Sequence, residues 1–263
     1  MKANYHTHTF RCRHAEGGDE AYVQEAIRGG FQLLGFADHV PWPFAGGYVS
    51  PIRMPMSELP YYIESVQELR EKYAGQIDIR LGAECEYIPR YHDHLLRLRD
   101  MGMSYFILGA HYLDSEEDSP YVSRSCRADD GVRAYAEATA KAMRTGLFLY
   151  LAHPDLYMRH RCEDFNACCE EAADMLCQTA LELNMPLEYN LGGLDEQLNG
   201  EGCGYPSDAF WRYARKWNNP VILGVDAHRP SMLSDLTLWN TARTYLHSLG
   251  YRIVDDLEPT AKS

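Results

Sequence analysis

The sequence predicts an α/β fold built on a parallel barrel, and three observations carry that prediction. Short apolar runs alternate with longer segments of helical spacing, the pattern of strands joined by crossover helices. Chemically capable residues follow nearly every run, as they do where the C-terminal strand ends of a parallel barrel meet in one mouth. The third is size: 263 residues with 46% hydrophobic content can bury one sizeable core, so a single domain over 1–263 is expected.

Taken in order, run 3–6 leads into a helical segment at 19–29, which stops at Gly29-Gly30 because glycine ends a helix without a side-chain penalty. Run 33–37 follows, then a helix at 57–73 with Ser57 and Glu58 in position to cap it. Runs 77–83 and 105–110 are the next strands, and a helix at 130–145 ends at Gly146. Run 148–152 precedes a helix at 164–183 capped by Asp164, and run 186–190 precedes one at 207–216 capped by Ser207. Run 220–225 is the seventh strand and leads into the last helix, 232–249. There Leu233, Leu236, Trp239, Tyr245 and Leu246 are expected to complete the barrel wall.

The formal net charge of -13 argues against a nucleic-acid partner or an anionic membrane surface, since both are bound by excess Lys and Arg. A small anionic substrate stays open, because bound metal can overcome the global field locally. The eight cysteines (Cys12, Cys85, Cys126, Cys162, Cys168, Cys169, Cys177 and Cys203) include no CxxC pair. In a chain of this length whose start, MKANYHTHTF, has no apolar stretch for export, they read as reduced, mostly buried thiols of a cytoplasmic protein. No run approaches the ~20 apolar residues of a membrane span, so a soluble chain with no membrane partner is expected. Oligomeric state is left open.

Collecting the residues at the run ends gives His6 and His8, then Asp38-His39, Glu84, His111, His153, and Asp226 with His228. With His14 in the first loop, seven of the 11 histidines fall at or beside one predicted mouth. In an extended segment residues i and i+2 share a side, so His6 and His8 can grip one ion, and Asp226 and His228 share that spacing. Imidazoles mixed with carboxylates suit zinc, manganese or iron, and with no cysteine in the set thiolate chemistry is not expected. A lone HxH is as often core packing as a metal site; the recurrence of a donor after so many successive runs is what points to metal. His92 and His94 form a second HxH, but at a polar helix start where the pair would splay apart, so both read as surface residues. Glu86 shares strand parity with Glu84 and competes with it; position nearest the strand end favours Glu84.

The motifs HTH, FADH, GAECEY, GAHY, AHPDL and GVDAHRP resemble those of the PHP (polymerase and histidinol phosphatase) superfamily, in its histidinol-phosphatase branch. The likeness runs from Tyr5 to Pro230. It implies a distorted, TIM-like (β/α)7 barrel holding two to three divalent ions of zinc, manganese or iron. It further implies that His6, His8, Glu84 and Asp226 hold the first ion, that Glu84, His111 and His153 hold the second with Glu84 bridging, and that His14, His39 and His228 hold the third. The implied activity is hydrolysis of a small phosphate monoester, histidinol phosphate to histidinol and phosphate in histidine biosynthesis. Hydroxide held between cations would attack phosphorus in line. Glu84, Asp226, His228 and Asp38 are the catalytic candidates: Asp38 to orient an imidazole or water, and Asp226 or His228 to relay a proton to the leaving oxygen.

Arginines at the mouth clamp phosphate in that branch, a task suited to the guanidinium fork, and the candidates here are Arg53, Arg159, Arg161 and Arg229, with Asn190 grouped beside them. The chain departs from the branch in one loop. Where relatives read close to N-T-S-G-L-R it reads Asn190-Leu191-Gly192-Gly193-Leu194-Asp195, an acid in place of a phosphate-binding arginine, and Val225 stands where serine is common. Two alternatives therefore stay beside histidinol phosphate. One is another small ester, such as a nucleotide or sugar phosphate; the other is an inactive metal-binding regulatory module.

Overall fold

The computed structural model describes residues 2–162, 164–202 and 204–257. Its strands are β1 (Ala3–Asn4), β2 (Leu33–Phe36), β3 (Asp78–Cys85), β4 (Tyr105–Leu108), β5 (Leu187–Asn190) and β6 (Val221–Gly224). Every pairing is parallel, in the order β1-β2-β3-β4 and, separately, β5-β6. Isolated bridges join the two sheets into a ring: Leu151 pairs with both Leu108 and Leu187, and Thr7 pairs with Ala227. The closing seam is hydrogen-bonded from His8 N–H to Ala227 O at 2.9 Å and from Ala227 N–H to His6 O at 3.2 Å.

Run 148–152 thus occupies the expected barrel position without forming a regular strand. Leu149 N–H donates to Phe106 O, but Leu108 N–H then donates to Tyr150 O rather than Leu149 O, and Ala152 N–H to Leu108 O, so one extra residue bulges out and breaks the ladder. The first run is shortened for a related reason. The Asn4 side chain donates to His6 O and Thr7 Oγ1 and accepts from Val225 N–H, taking over bonds that a longer strand would make.

The helices are α1 (Asp19–Arg28), α2 (Leu59–Lys72), α3 (His92–Asp100), α4 (Val122–Ser125), α5 (Asp129–Met143), α6 (Ala167–Glu182), α7 (Leu191–Leu198), α8 (Asp208–Ala214) and α9 (Thr237–Leu249). Ser207 caps α8 as expected by accepting Phe210 N–H, whereas α6 is capped by Asn166 rather than Asp164, and Glu58 before α2 makes no side-chain cap bond. The last helix starts later than its apolar pattern suggested, because Pro230–Leu233 forms a separate 3-10 turn. Leu233, Trp239 and Leu246 are buried and pack on the core, with Leu236 and Tyr245 partly covered.

The barrel interior is filled with tyrosine. Tyr5, Tyr105 and Tyr150 stack edge to face at 5.6 and 6.5 Å between centroids, and Tyr105 Oη lies 2.8 and 2.9 Å from Tyr5 O and Phe36 O. Gly35 makes room for this: a Cβ there would collide with Tyr105 Oη. This plug closes the lower end of the barrel, so polar chemistry is confined to the mouth.

Two side-chain expectations are corrected. His94 is buried, with Nε2 2.9 Å from Pro41 O, while His92 on the same helix start is half-exposed; the pair splays, but only one member faces outward. Of the cysteines, Cys12, Cys85, Cys126, Cys168, Cys169 and Cys177 are free and buried, whereas Cys162 is disulfide-bonded; Cys203 lies outside the described residues. No helix among the described residues is long and apolar enough to cross a membrane.

Candidate metal centre

The strand ends bring most of the expected donors to one place. His6 Nε2 lies 3.1 Å from His8 Nε2, 3.4 Å from Glu84 Oε2 and 3.3 Å from Asp226 Oδ1; His8 Nε2 lies 3.3 Å from each of those two oxygens. Metal–ligand bonds of ~2.0–2.1 Å arranged tetrahedrally have edges of ~3.3–3.4 Å, so His6, His8 and Asp226 stand at three such corners, and Glu84 Oε2 keeps the same distance from both imidazoles. Asp226 Oδ1 is buried with no hydrogen-bond partner, a condition costly for a carboxylate oxygen unless a cation faces it. The residues present fit a divalent ion.

Glu84 divides its two oxygens between groups. Oε2 faces His6, His8 and, at 3.1 Å, His39 Nδ1, while Oε1 lies 2.7 Å from His153 Nε2 and 3.2 Å from His111 Nε2. Gly109 permits this placement, since a Cβ there would collide with Glu84 Oε1. The other expected trio gathers less tightly. The rings of His14 and His228 stack at 4.7 Å and His14 lies 5.6 Å from His39, yet His14 joins no set of three donor atoms within 4.8 Å. His39 converges instead with His8 and Glu84, and the Cys12 thiol, left out of the donor set on sequence grounds, comes close to His8 and His228.

In four of the rings the far side fixes the proton. His14 Nδ1 lies 2.6 Å from Cys12 O and His228 Nδ1 2.9 Å from Asp226 O; carbonyls only accept, so both rings donate there and turn an Nε2 lone pair away. His6 Nδ1 is held by Glu188 Oε1 at 2.8 Å and His111 Nδ1 by Glu86 Oε1 at 3.2 Å, to the same effect. Asp38 accepts Thr9 N–H and Thr9 Oγ1–H at 2.9 and 2.7 Å and stands 4.0 Å from His8 Nδ1, so its direct hold is on the loop rather than on the ring. His153 and Asp226 both adopt positive φ, 31° and 50°, strained backbone of the kind that concentrates at functional sites.

A cavity of about 340 Å³ opens above these donors, lined in part by His14, His39, His111, Tyr121, Arg159, Glu196, Tyr205, His228 and Arg229. Arg159 Nη2 is held by both Glu196 oxygens at 2.8 and 2.7 Å, and Arg229 Nη2 by Asp195 Oδ2 at 2.7 Å.

The remaining substrate candidates lie elsewhere. Arg53 is fully buried among Glu86, Glu116 and Val40 O, and Arg161 is bound to the Asp129 and Asp164 carboxylates and three backbone carbonyls; neither lines the cavity. Asn190 spends its amide inside the fold, donating to Glu188 and Asp226 and accepting Gly193 N–H at the start of α7. All three stand near mouth residues in sequence, but packing turns them inward.

A family model for the PHP domain matches residues 4–186. A probable histidinol-phosphatase of Deinococcus radiodurans is 32% identical over 86% of this chain and 85% of that protein. The chain belongs to the PHP family, on its histidinol-phosphatase branch. The histidinol-phosphatase of Bacillus subtilis is 27% identical over 87% of this chain and 94% of its own length. Among solved structures, a histidinol phosphate phosphatase of Lactococcus lactis, complexed with zinc, L-histidinol and phosphate, superposes with a TM-score of 0.74 at 18% identity, covering 98% of this chain and 97% of that one. It shares the barrel fold.

Within this PHP barrel, Glu188 is the residue that sequence reasoning missed. It is fully buried on β5 and accepts from Tyr150 Oη–H at 3.2 Å, His153 N–H at 3.1 Å and Asn190 Nδ2–H at 2.9 Å, besides its contact with His6. The signal was a lone acid inside the apolar run Pro186–Asn190, and only the ring closure that brings His6 beside β5 gives it meaning. The acid that departs from the branch, Asp195, points at Arg229, so its charge is matched by a neighbouring cation.

Electrostatics follow from dense packing of opposite charges. Burial alone would depress the His6 imidazole, but Asp226, Glu188 and Glu84 overcome it and hold it well above its usual value. His8 and His111, equally buried, are raised to about 9 by Glu84 together with Asp226 and Glu86 respectively. Burial would raise Glu84 and Asp226, yet the surrounding imidazoles hold both well below the carboxylate range. His39 falls well below its usual value through burial, and His228 to about 4 through burial and the nearby His8. In the metal-free protein, protons held on His8 and His111 up to about 9 compete with a cation, so metal affinity falls as pH drops below that value. We predict net proton release when Mn²⁺ is added at pH 7 in weak buffer, shrinking as pH approaches 9; a pH-independent affinity between 6 and 9 contradicts this charge pattern.

Proposed function

We propose that this chain is a metal-dependent phosphomonoesterase that cleaves L-histidinol phosphate to L-histidinol and phosphate. The observation carrying the reading is the placement of Glu84 between two donor groups at the floor of a cavity whose wall holds two arginines. In this reading His6, His8, Glu84 and Asp226 hold one ion, Glu84, His111 and His153 a second, and His14, His39 and His228 a third, with zinc, manganese or iron suited to such mixed nitrogen and oxygen donors. Bound there, the ions supply Lewis acidity toward water and the phosphoryl oxygens.

The chain's own residues do the rest. Arg159 and Arg229 bind the phosphoryl oxygens, each guanidinium pre-set by a carboxylate, Glu196 or Asp195, so that little side-chain freedom is lost on binding. Asn190 Nδ2 holds Asp226 Oδ2 at 3.1 Å, which keeps the other oxygen turned to the cluster. His228, its Nδ1–H committed to Asp226 O, turns its Nε2 lone pair, which has no hydrogen-bond partner, toward the third ion's place, so that nitrogen serves as a donor to metal rather than as a proton carrier. The tyrosine plug keeps bulk water from the barrel side.

Phosphate release from histidinol phosphate by the manganese- or zinc-loaded protein, measured beside nucleotide and sugar phosphates, tests this. Histidinol phosphate is expected to have the highest kcat/KM. The acid at position 195 motivates the second reading, a different small ester, which a better panel member would establish. No release from any ester despite bound metal would leave a regulatory metal module, against which the complete donor set and open cavity speak. Arg159→Ala and Arg229→Ala are each expected to lower kcat/KM by about 10- to 100-fold, the scale of a lost charge-assisted hydrogen bond. Inhibition by inorganic phosphate should weaken in parallel; unchanged constants would place phosphate elsewhere.

A further inference from the structure

The fully buried Arg53 guanidinium reaches three loops at once. Nη1 donates to Val40 O at 3.0 Å, directly after His39; Nη2 donates to Glu86 Oε1 at 3.1 Å, two residues after Glu84; Nε donates to Glu116 Oε2 at 2.7 Å, in the loop that follows His111. The Glu86 oxygen that meets Arg53 is the one that holds His111 Nδ1 at 3.2 Å, and Trp42 Nε1–H fixes the other oxygen at 3.2 Å. A relay therefore runs from Arg53 through Glu86 to the ring whose Nε2 faces Glu84 Oε1. Arg53 shares no contact with the cavity, and its three partners belong to the loops after β2, β3 and β4.

We propose that Arg53 is a positioning residue for the metal group of Glu84, His111 and His153: by pinning Glu86 and tying the three loops together, it sets the orientation and tautomer of His111, and with them the affinity for the second ion. This rests on the metal assignment made above but not on the identity of the substrate. A buried anion beside a donor imidazole is stable only with its own cation, and Arg53 is that cation; its planar fork meets the three acceptors from three separate nitrogens, a spread that a single ammonium nitrogen cannot reach. Outer partners of ligating histidines change metal affinity by about 10- to 100-fold when removed.

The test is a Mn²⁺ titration followed by the EPR signal of free manganese, on wild type, Arg53→Met, Arg53→Lys and Glu86→Gln, with kcat and KM then measured at limiting and saturating metal. Arg53→Met and Glu86→Gln should each weaken the second binding step by about 10- to 100-fold and leave the first nearly unchanged. Combining them should add little, because they act in series. Saturating Mn²⁺ should restore most of kcat with KM and phosphate inhibition unmoved. Arg53→Lys, which keeps the charge and much of the volume, provides the reading if the Met variant fails to fold, and should fall between it and wild type. Unchanged manganese binding in the folded variants overturns the proposal; so does a raised KM that metal does not restore, which would make Arg53 a substrate clamp. Wild type that binds manganese in two steps yet hydrolyses no ester would defeat the proposed function and leave this inference standing.

Discussion

Glu84→Ala should reduce turnover by more than about a thousandfold and strip the protein of metal, because one carboxylate serves both donor groups. Each of its oxygens stands within 3.4 Å of at least two imidazole nitrogens, and no neighbouring acid can replace it: Glu86 is committed to Arg53, Trp42 and His111, and Asp226 faces His6, His8 and His228 on the other side of the cluster from His111 and His153. The loss should appear as absent metal by elemental analysis before it appears in kinetics. Glu84→Gln keeps the shape and one carbonyl oxygen but loses the charge, so it should retain some metal in the first group while remaining nearly inactive. A Glu84→Ala protein with full metal content and activity would move the centre away from this residue.

Glu188→Ala should produce the largest loss of stability among single changes at the site. Three buried donors lose their acceptor together, His6 Nδ1, Tyr150 Oη and His153 N–H, while Asn190 Nδ2 loses one of its two acceptors and keeps Asp226. A stranded buried donor costs about 1–3 kcal/mol, so a combined cost of about 4 kcal/mol or more is expected, a large part of a typical total of about 5–15 kcal/mol. Gly224 shows how closely the carboxylate is fitted, since a Cβ there would collide with Glu188 Oε1. Denaturant unfolding of the metal-free protein is the proper measurement, because it separates this cost from loss of metal. Glu188→Gln, which keeps an acceptor oxygen, should lose about half as much; a loss under about 1 kcal/mol for the alanine variant would show that water replaces the carboxylate.

Donor spacing was legible because it is local. His6 and His8, Asp226 and His228, and single donors after intervening runs mark strand ends whatever the details of packing, and the structure gathers His6, His8 and Asp226 to within one ion's reach with Glu84 Oε2 beside both imidazoles. The shortening of β1 and the bulge at 148–152 were not legible, since each depends on a bond from another strand: Val225 N–H to Asn4 in one case, Phe106 O and Leu108 O in the other.

The arginines mark the boundary most clearly. By itself the sequence determined the alternation that closes a PHP barrel and the identity of the residues at its mouth, because strand periodicity and donor chemistry are properties of short segments. Only the tertiary structure decided that Arg159 and Arg229 face the cavity while Arg53 and Arg161 turn into the protein, and that Glu188 stands behind His6. A long flexible guanidinium goes where buried acids and carbonyls offer the most bonds, and those partners come from loops far apart in the chain.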